Sequence, residues 1–237
     1  MIYFSVCTRK DKQPKSLQKL VDYLKGNESF GIKINYDATS IYQGHKSNLD
    51  FFKGMPLEDG DIIVLCHDDI EILSKTEDLY NNLIIARKPG VGFIGLAGGC
   101  HMPGDGSWWN ARRTGDARGF VFQGNDHQTM TPNYFGKSGQ VVVLDGCFLA
   151  ITYGNLKKIG LDQPDYLDSG WDFYDIHLTY KAHLDGFSNY VVPIIAMHES
   201  SGMMREGWFS ARDKFMREHV STLKYSKLPT DKTHGLP

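Results

Sequence analysis

Over its first hundred residues the chain alternates short apolar runs with stretches of helical periodicity, and this order constrains the fold more than any other feature. Ile2 to Cys7 reads as a strand. Pro14 can start a helix in which Leu17, Leu20, Val21 and Leu24 recur at helical spacing, and Gly26 can end it. Gly31 to Tyr36 predicts a second strand and Ser47 to Lys53 a short helix. Pro56 and Asp59-Gly60 then lead into a third strand, Asp61 to Cys66, of fully buried character, and Thr76 to Arg87 predicts an amphipathic helix. Segments in a βαβαβα order bury their apolar faces as a sheet covered by helices, which makes this an α/β chain.

The second half predicts strands at Val91 to Ala97, Gly119 to Gln123, Val141 to Leu144 and Tyr190 to Ala196. Its helices are expected near Asn155 to Ile159, from about Asp172 to His183 and from about Trp208 to Lys224. With no internal repeat or low-complexity linker, the 237 residues read as one α/β domain with a mixed, Rossmann-like sheet flanked by helices.

Composition removes several classes of function. A formal net charge of −2 provides no global field for nucleic acid, and 41% hydrophobic with 23% charged residues excludes disorder and coiled coil. The longest apolar runs, Ile62 to Cys66 and Val141 to Leu144, fall far short of the roughly 20 residues of a membrane helix. The opening residues lack the basic start, long apolar stretch and small-residue cleavage site of a signal peptide, so cytoplasmic residence is expected. Cys7, Cys66, Cys100 and Cys147 form no CxxC pair and are expected as buried thiols.

Gly90 to Gly95 matches GxGxxG, but it follows Arg87-Lys88-Pro89 instead of a strand, and its Val91, Phe93 and Ile94 continue toward Leu96-Ala97 like a strand. A dinucleotide site is therefore not expected there. His67-Asp68-Asp69 is more informative, because it stands where a buried strand runs out and ligands of open α/β sheets bind at carboxyl strand ends. Adjacent carboxylates repel unless a cation neutralises them, and hard oxygen ligands suit Mn²⁺ or Mg²⁺; a solvated helix cap is the competing explanation. His198 also follows an apolar strand, and its imidazole could complete such a site.

Asp168, Asp172 and Asp175 cluster at a predicted helix start, more carboxylates than one cap requires. Asp172 and Asp175 share a face, so one could cap the helix while the other enters a cleft as a general base. Trp108-Trp109 beside Arg112-Arg113 suits a mobile loop that stacks on a sugar ring and meets phosphate oxygens; one buried Trp with solvated arginines is the plainer alternative. The basic C-terminal helix, with Arg212, Lys214 and Arg217, offers a peripheral contact with an anionic membrane surface or a lipid-linked acceptor, against simple docking on the sheet.

In this order these stretches resemble a glycosyltransferase of the GT-A fold, close to the family 2-like enzymes. The likeness rests on Ser5 to Arg9, IIVLCHDDI at Ile62 to Ile70, GFIGLAGG with Trp108-Trp109, VVVLDGCFLAI at Val141 to Ile151, and GWDFYDIHL at Gly170 to Leu178 followed by His198. It implies a nucleotide-sugar donor, a UDP-sugar, held by Thr8, Arg9, Asp37, Asp68, Asp145 and Trp109. It also implies Mn²⁺ or Mg²⁺ on Asp69 and His198, aided by Asp68, and Asp175 as the base acting on a glycan or glycoconjugate acceptor with inversion. HDD replaces the family's full DxD, and His177 stands where many relatives carry a further acid. Residues 1–100 would form the donor half, 101–205 the acceptor and catalytic half, and 206–237 a C-terminal helix and tail. The rival readings are a non-catalytic sugar- or nucleotide-binding module and a metal-dependent hydrolase built on His67, Asp69 and His198.

Overall fold

The computed structural model describes residues 1–9, 14–168, 170–200, 202–228 and 235–237. In chain order its elements are β1 (Ile2–Cys7), α1 (Lys15–Leu24), β2 (Phe30–Asn35), α2 (Ile41–Lys53), β3 (Ile62–His67), β4 (Ile70–Ile72), α3 (Thr76–Leu83), β5 (Val91–Gly95) and β6 (Ala97–Gly99). Then come β7 (Ala117–Gln123), β8 (Thr131–Gly136), β9 (Gly139–Val141), β10 (Val143–Leu144), β11 (Phe148–Thr152), α4 (Tyr153–Ile159), α5 (Tyr174–Leu184), β12 (Ser188–Val191), β13 (Ala196–His198), α6 (Glu206–Glu218) and α7 (Val220–Leu223).

Among the described residues two sheets form. The larger runs β2-β1-β3-β11-β5-β12-β9, and the smaller runs β10-β6-β7-β13-β4 with β8 added to β7. In the larger sheet β1 lies parallel between β2 and β3, with Cys7 opposite both Asn35 and His67, so three carboxyl strand ends finish level. Side chains alternate across this sheet. Ile2, Phe4 and Val6 with Ile62, Val64 and Cys66 fill one apolar cluster, and Tyr3 and Cys7 with Ile63 and Leu65 fill the other. Burial on both faces is why Ile62 to Cys66 is an unbroken apolar run.

β11 runs antiparallel to β3 with Phe148 opposite Cys66, which brings the turn before it beside the end of β3. That strand and the short β4 and β8 are additions to the elements expected from the sequence. The run from Tyr190 to Ala196 is instead divided at Pro193 between β12 and β13, which enter different sheets, because proline cannot donate to a ladder. Val141 to Leu144 is likewise divided between β9 and β10 at Val142. α2 begins six residues earlier than expected, on a Ser40-x-x-Gln43 signal: Ser40 Oγ accepts from Gln43 N–H at 3.1 Å, while Gln43 Oε1 accepts from Thr39 N–H. The helix expected to Arg87 tightens into a 3₁₀ turn at Ile84–Arg87, and the C-terminal helix breaks at His219. Gly90 to Gly95 builds buried strand β5 rather than a phosphate loop.

The four cysteines are buried free thiols. Among the described residues, no helix is long and apolar enough to cross a membrane. α6 docks through buried Ala211 and Phe215, while Lys214 pairs with Asp168. The tail expected beyond the helix falls largely on residues 229–234, outside the described residues.

Phe148 is fully buried in β11 and meets Phe4 edge-on at 6.2 Å, joining the strand to β1 across one face of the sheet. Phe148→Ala should cost about 3–5 kcal/mol of stability, read as a lower urea midpoint at unchanged slope. A shift below about 1 kcal/mol would contradict this packing role.

Candidate active site

A cleft of about 1290 Å³ opens where the parallel strands end, lined by residues of both sheets and of the segments before α5 and α6. Its acidic end is built by one turn. β3 finishes at His67, whose N–H donates to Cys147 O at 3.0 Å; Asp68 and Asp69 turn the chain; and β4 leaves along β13 with Ile70 opposite His198. Asp69 O accepts from Glu199 N–H at 2.8 Å, closing the turn against the end of β13. His67, Asp69 and His198 thus converge from two strand ends.

Their ligand-type atoms all lie within 4.8 Å of one another. Asp69 Oδ1 is 3.2 Å from His198 Nε2 and 3.6 Å from His67 Nδ1, yet it is buried without a well-directed hydrogen bond. Tyr174 explains this arrangement. Its single hydroxyl proton goes to Gly146 O at 2.6 Å, so at 2.9 Å it accepts from His67 Nε2–H. In neutral His67 the Nδ1 lone pair is then left facing Asp69 Oδ1, an arrangement of two acceptors that a cation suits.

The local charges agree with this geometry. Burial opposes charge on Asp69, but the His198 and His67 imidazoles outweigh it and hold the carboxyl well below its ordinary pKa. Burial likewise opposes charge on His67, and the adjoining Asp69 carboxylate, with the fields of Asp145 and Asp175, still raises its pKa. The residues fit a divalent cation with a mixed imidazole and carboxylate donor set.

A second carboxylate faces the same cleft in a different state. Asp175 lies in the first turn of α5 and accepts from Gly146 N–H at 2.7 Å. Burial, and then the neighbouring Asp145, push its pKa up to about 7. Asp145 itself caps its turn, its Oδ1 accepting from Cys147 N–H at 3.0 Å. Gly146 is therefore gripped twice, its N–H by Asp175 and its carbonyl by Tyr174. Just before them Phe173 adopts φ 62°, the one positive-φ residue other than glycine among those described. Such a conformation costs on the order of 1–3 kcal/mol, and Phe173 is held in it by contacts with Trp208 and Phe215.

The remaining expected residues divide into those the cleft gathers and those it does not. Asp68, Asp145, Trp109 and Arg9 line it. Arg9 is exposed and stacks over Trp171 at 4.5 Å. Thr8 is buried behind the lining, with its hydroxyl on Asp68; that bond and His67 partly offset the burial and the Asp69 charge that raise the Asp68 pKa. Asp37 is not part of the lining: its N–H is held by Asn35 Oδ1 in a turn that leads the chain toward α2, and it is exposed. Asp172 also lines the cleft and precedes α5, whose cap position is held by Phe173 with no side-chain bond. The paired tryptophans are not both exposed. Trp108 is 3% exposed and belongs to the core, while half-buried Trp109 packs on Trp208 at 5.5 Å.

Sequence reasoning set Asp69 and His198 together as ligands, added His67 to them only in the hydrolase reading, and passed over Tyr174. His67 was within reach, since residues two apart along a strand share a face and His67 and Asp69 are so spaced. Nothing in the sequence marks Tyr174, because its role depends on the return of α5 against the end of β3.

The sequence profile of a family described as glycosyltransferase like matches residues 22–222. The chain belongs to this family, and its architecture is mixed α/β. No curated protein matches it. Among solved structures it is similar to A197 from STIV, with 14% identity over 83% of this chain and 84% of that one, at a TM-score of 0.46. It is also similar to GalNAc-T7 solved with UDP, GalNAc and Mn²⁺, with 13% identity over 88% of this chain and a TM-score of 0.49. The match covers 45% of that chain, less than half its length.

Asp175 has a consequence for stability. Its carboxyl titrates near 7 in the folded chain against an ordinary 3.8, so the fold binds that proton more tightly and loses stability as pH rises from about 4 to about 7. Asp175→Asn keeps an acceptor for Gly146 N–H and removes the charge. In EDTA its melting temperature should gain on the parent as pH goes from 4 to 8. A gap independent of pH would contradict the raised pKa.

Proposed function

We propose that this protein is a metal-dependent, inverting glycosyltransferase that moves a hexosyl or deoxyhexosyl group from a UDP-sugar to a hydroxyl of a glycan or glycoconjugate. Family membership supports the general class. The observation that carries the finer reading is the placement in one cleft of two differently tuned carboxylates: Asp69 between two imidazoles, and Asp175 with its pKa near neutrality. Pairs of acids pushed apart in this way divide the work of charge stabilisation and proton transfer.

In this reading residues 1–100 supply most of the donor site and residues 101–205 the acceptor side. His67, Asp69 and His198 would hold a divalent cation, Mn²⁺ in preference to Mg²⁺ because two of the three donors are imidazoles. When bound, that cation supplies neutralisation for the charge of the departing diphosphate. Tyr174 keeps His67 in the tautomer that presents Nδ1 to the site. Asp175, ionised, takes the proton of the acceptor hydroxyl as its oxygen bonds to the anomeric carbon and the bond from that carbon to the diphosphate oxygen breaks. A single displacement inverts the anomeric configuration. Asp145, beside Asp175, raises its affinity for the proton and would lie near the transferred sugar.

Nucleotide release from UDP-sugars, assayed with and without candidate acceptors and with and without EDTA, tests the proposal. Acceptor-dependent, Mn²⁺-restored release is expected, and binding without turnover would overturn it. Asp69→Ala should remain folded and lose the Mn²⁺-dependent rise in melting temperature with UDP, since a ligand that binds only the fold stabilises it. An unchanged rise would remove Asp69 from the metal site.

Asp175→Asn should lower kcat by roughly 100- to 10,000-fold with UDP affinity little changed, the range for losing a general base. Because the base must be ionised, parent activity should fall as pH drops through about 7. The variant's residual rate should lack that step. Should Asp172→Asn be the crippled variant instead, the base has been assigned to the wrong carboxylate.

A further inference from the structure

Away from the acids, the cleft wall is built from two short helical segments that carry the same pair of residue types. Trp109 and Arg112 stand three residues apart in the 3₁₀ segment Trp108–Thr114, where side chains at that spacing eclipse. Arg205 and Trp208 stand three apart at the start of α6, where Trp208 N–H donates to Arg205 O at 3.0 Å. Contact between Trp109 and Trp208, 5.5 Å between ring centres, sets the two pairs against each other. Trp208 also touches Phe173 at 5.2 Å, two residues before Asp175, so this wall continues directly into the segment that carries the proposed base.

Three arginines on this wall are left without an ion pair among the described residues. Arg112, Arg113 and Arg205 are exposed, line the cleft, and form no ion pair among the described residues. Arg212, farther along α6, is paired with Asp213 and stacked over Trp208 and Phe209. Of the other cleft carboxylates, Asp69 meets the imidazoles, Asp68 the Thr8 hydroxyl, Asp175 accepts from Gly146 N–H, Asp145 from Cys147 N–H and Glu199 from Ser16, while Asp172 lies against Gly207 at the start of α6. One cleft therefore holds an acidic end and an aromatic wall whose three arginines form no ion pair among the described residues.

We propose that the acceptor carries an anionic group, a carboxylate or a phosphate, and that Arg112, Arg113 and Arg205 receive it beside the Trp109 and Trp208 rings. This deepens the transferase reading and rests on it. A guanidinium fork matches either anion through paired N–H donors, and the indole faces accept the adjoining sugar ring. The cleft exceeds the few hundred to roughly 1,000 Å³ of an ordinary ligand pocket, which leaves room for an acceptor beside a nucleotide sugar. The anion can belong to an acidic sugar or to a lipid-linked phosphate. Met203 and Met204, both exposed at the same wall, suit the apolar part of the second.

The test compares acceptors that differ in charge alone. One pair is methyl β-glucuronide and methyl β-glucoside; the other is a hexose joined to a C15 prenyl chain through diphosphate and the same hexose as a neutral prenyl glycoside. With Mn²⁺ and a UDP-sugar present, the charged member of at least one pair should have the higher kcat/KM, and which pair shows it identifies the source of the anion. Arg112→Gln and Arg205→Gln should each raise KM for that acceptor about tenfold, the loss of roughly one charge-assisted hydrogen bond, with the Kd for UDP and Mn²⁺ unchanged.

Equal use of charged and neutral acceptors, or a comparable loss of UDP affinity in both variants, would overturn the proposal. Tryptophan fluorescence during titration with the same compounds separates this failure from failure of the transferase reading. Charge-selective binding lost in the arginine variants, with no turnover, supports the wall and removes the enzyme. Turnover without charge preference removes the wall and leaves the enzyme.

Discussion

The central constraint on this molecule is the double-sided burial of β3. Its side chains enter apolar clusters on both faces, so the strand cannot slip by one residue without exchanging the two sets. Its register with β1 and β11 therefore fixes the height at which His67 leaves the sheet. Everything polar follows from that height: Asp68 and Asp69 must turn at the mouth of the cleft, β4 must depart toward β13, and His198 must arrive opposite Ile70.

Electrostatic differentiation comes from what each carboxylate meets after the fold has placed it. Asp69 and Asp175 both suffer burial, but Asp69 meets two imidazoles and is driven toward ionisation, whereas Asp175 meets another carboxylate and holds its proton to about pH 7. Residues 145–147 couple the two. Gly146 binds Asp175 through its N–H and Tyr174 through its carbonyl, and Tyr174 in turn orients His67. The proposed metal and base positions thus share one connection, although His67 and Asp69 lie more than a hundred positions before Asp175 in the chain.

The opposite wall has a different physical origin. Trp109, Trp208, Phe173 and Phe215 form a chain of ring contacts joining the 3₁₀ segment, α6 and the start of α5. Packing energy invested there holds the strained Phe173 and presents exposed arginines to the cleft. Docking of α6 therefore serves the site directly, a use of its aromatic residues distinct from the membrane contact suggested by its charge.

The α/β order, both-face burial of β3, the acidic strand end and the acidic start of α5 could all be read from the chain, because each is a local matter of periodicity or of residue type beside a strand or helix. The family resemblance was equally legible, since it rests on motifs in order. The fold alone decided that Pro193 would divide one apolar run between two sheets and that Trp108 would be core while Trp109 stayed half-buried. It also decided that Asp37 would stand exposed in a turn outside the cleft lining. The role of Tyr174 and the tautomer of His67, a residue the sequence itself marks, belong to the same class. Both depend on which atom of a distant residue meets a ring nitrogen or a hydroxyl, and that is fixed by strand register and the return of α5, neither of which leaves a periodic trace in the sequence.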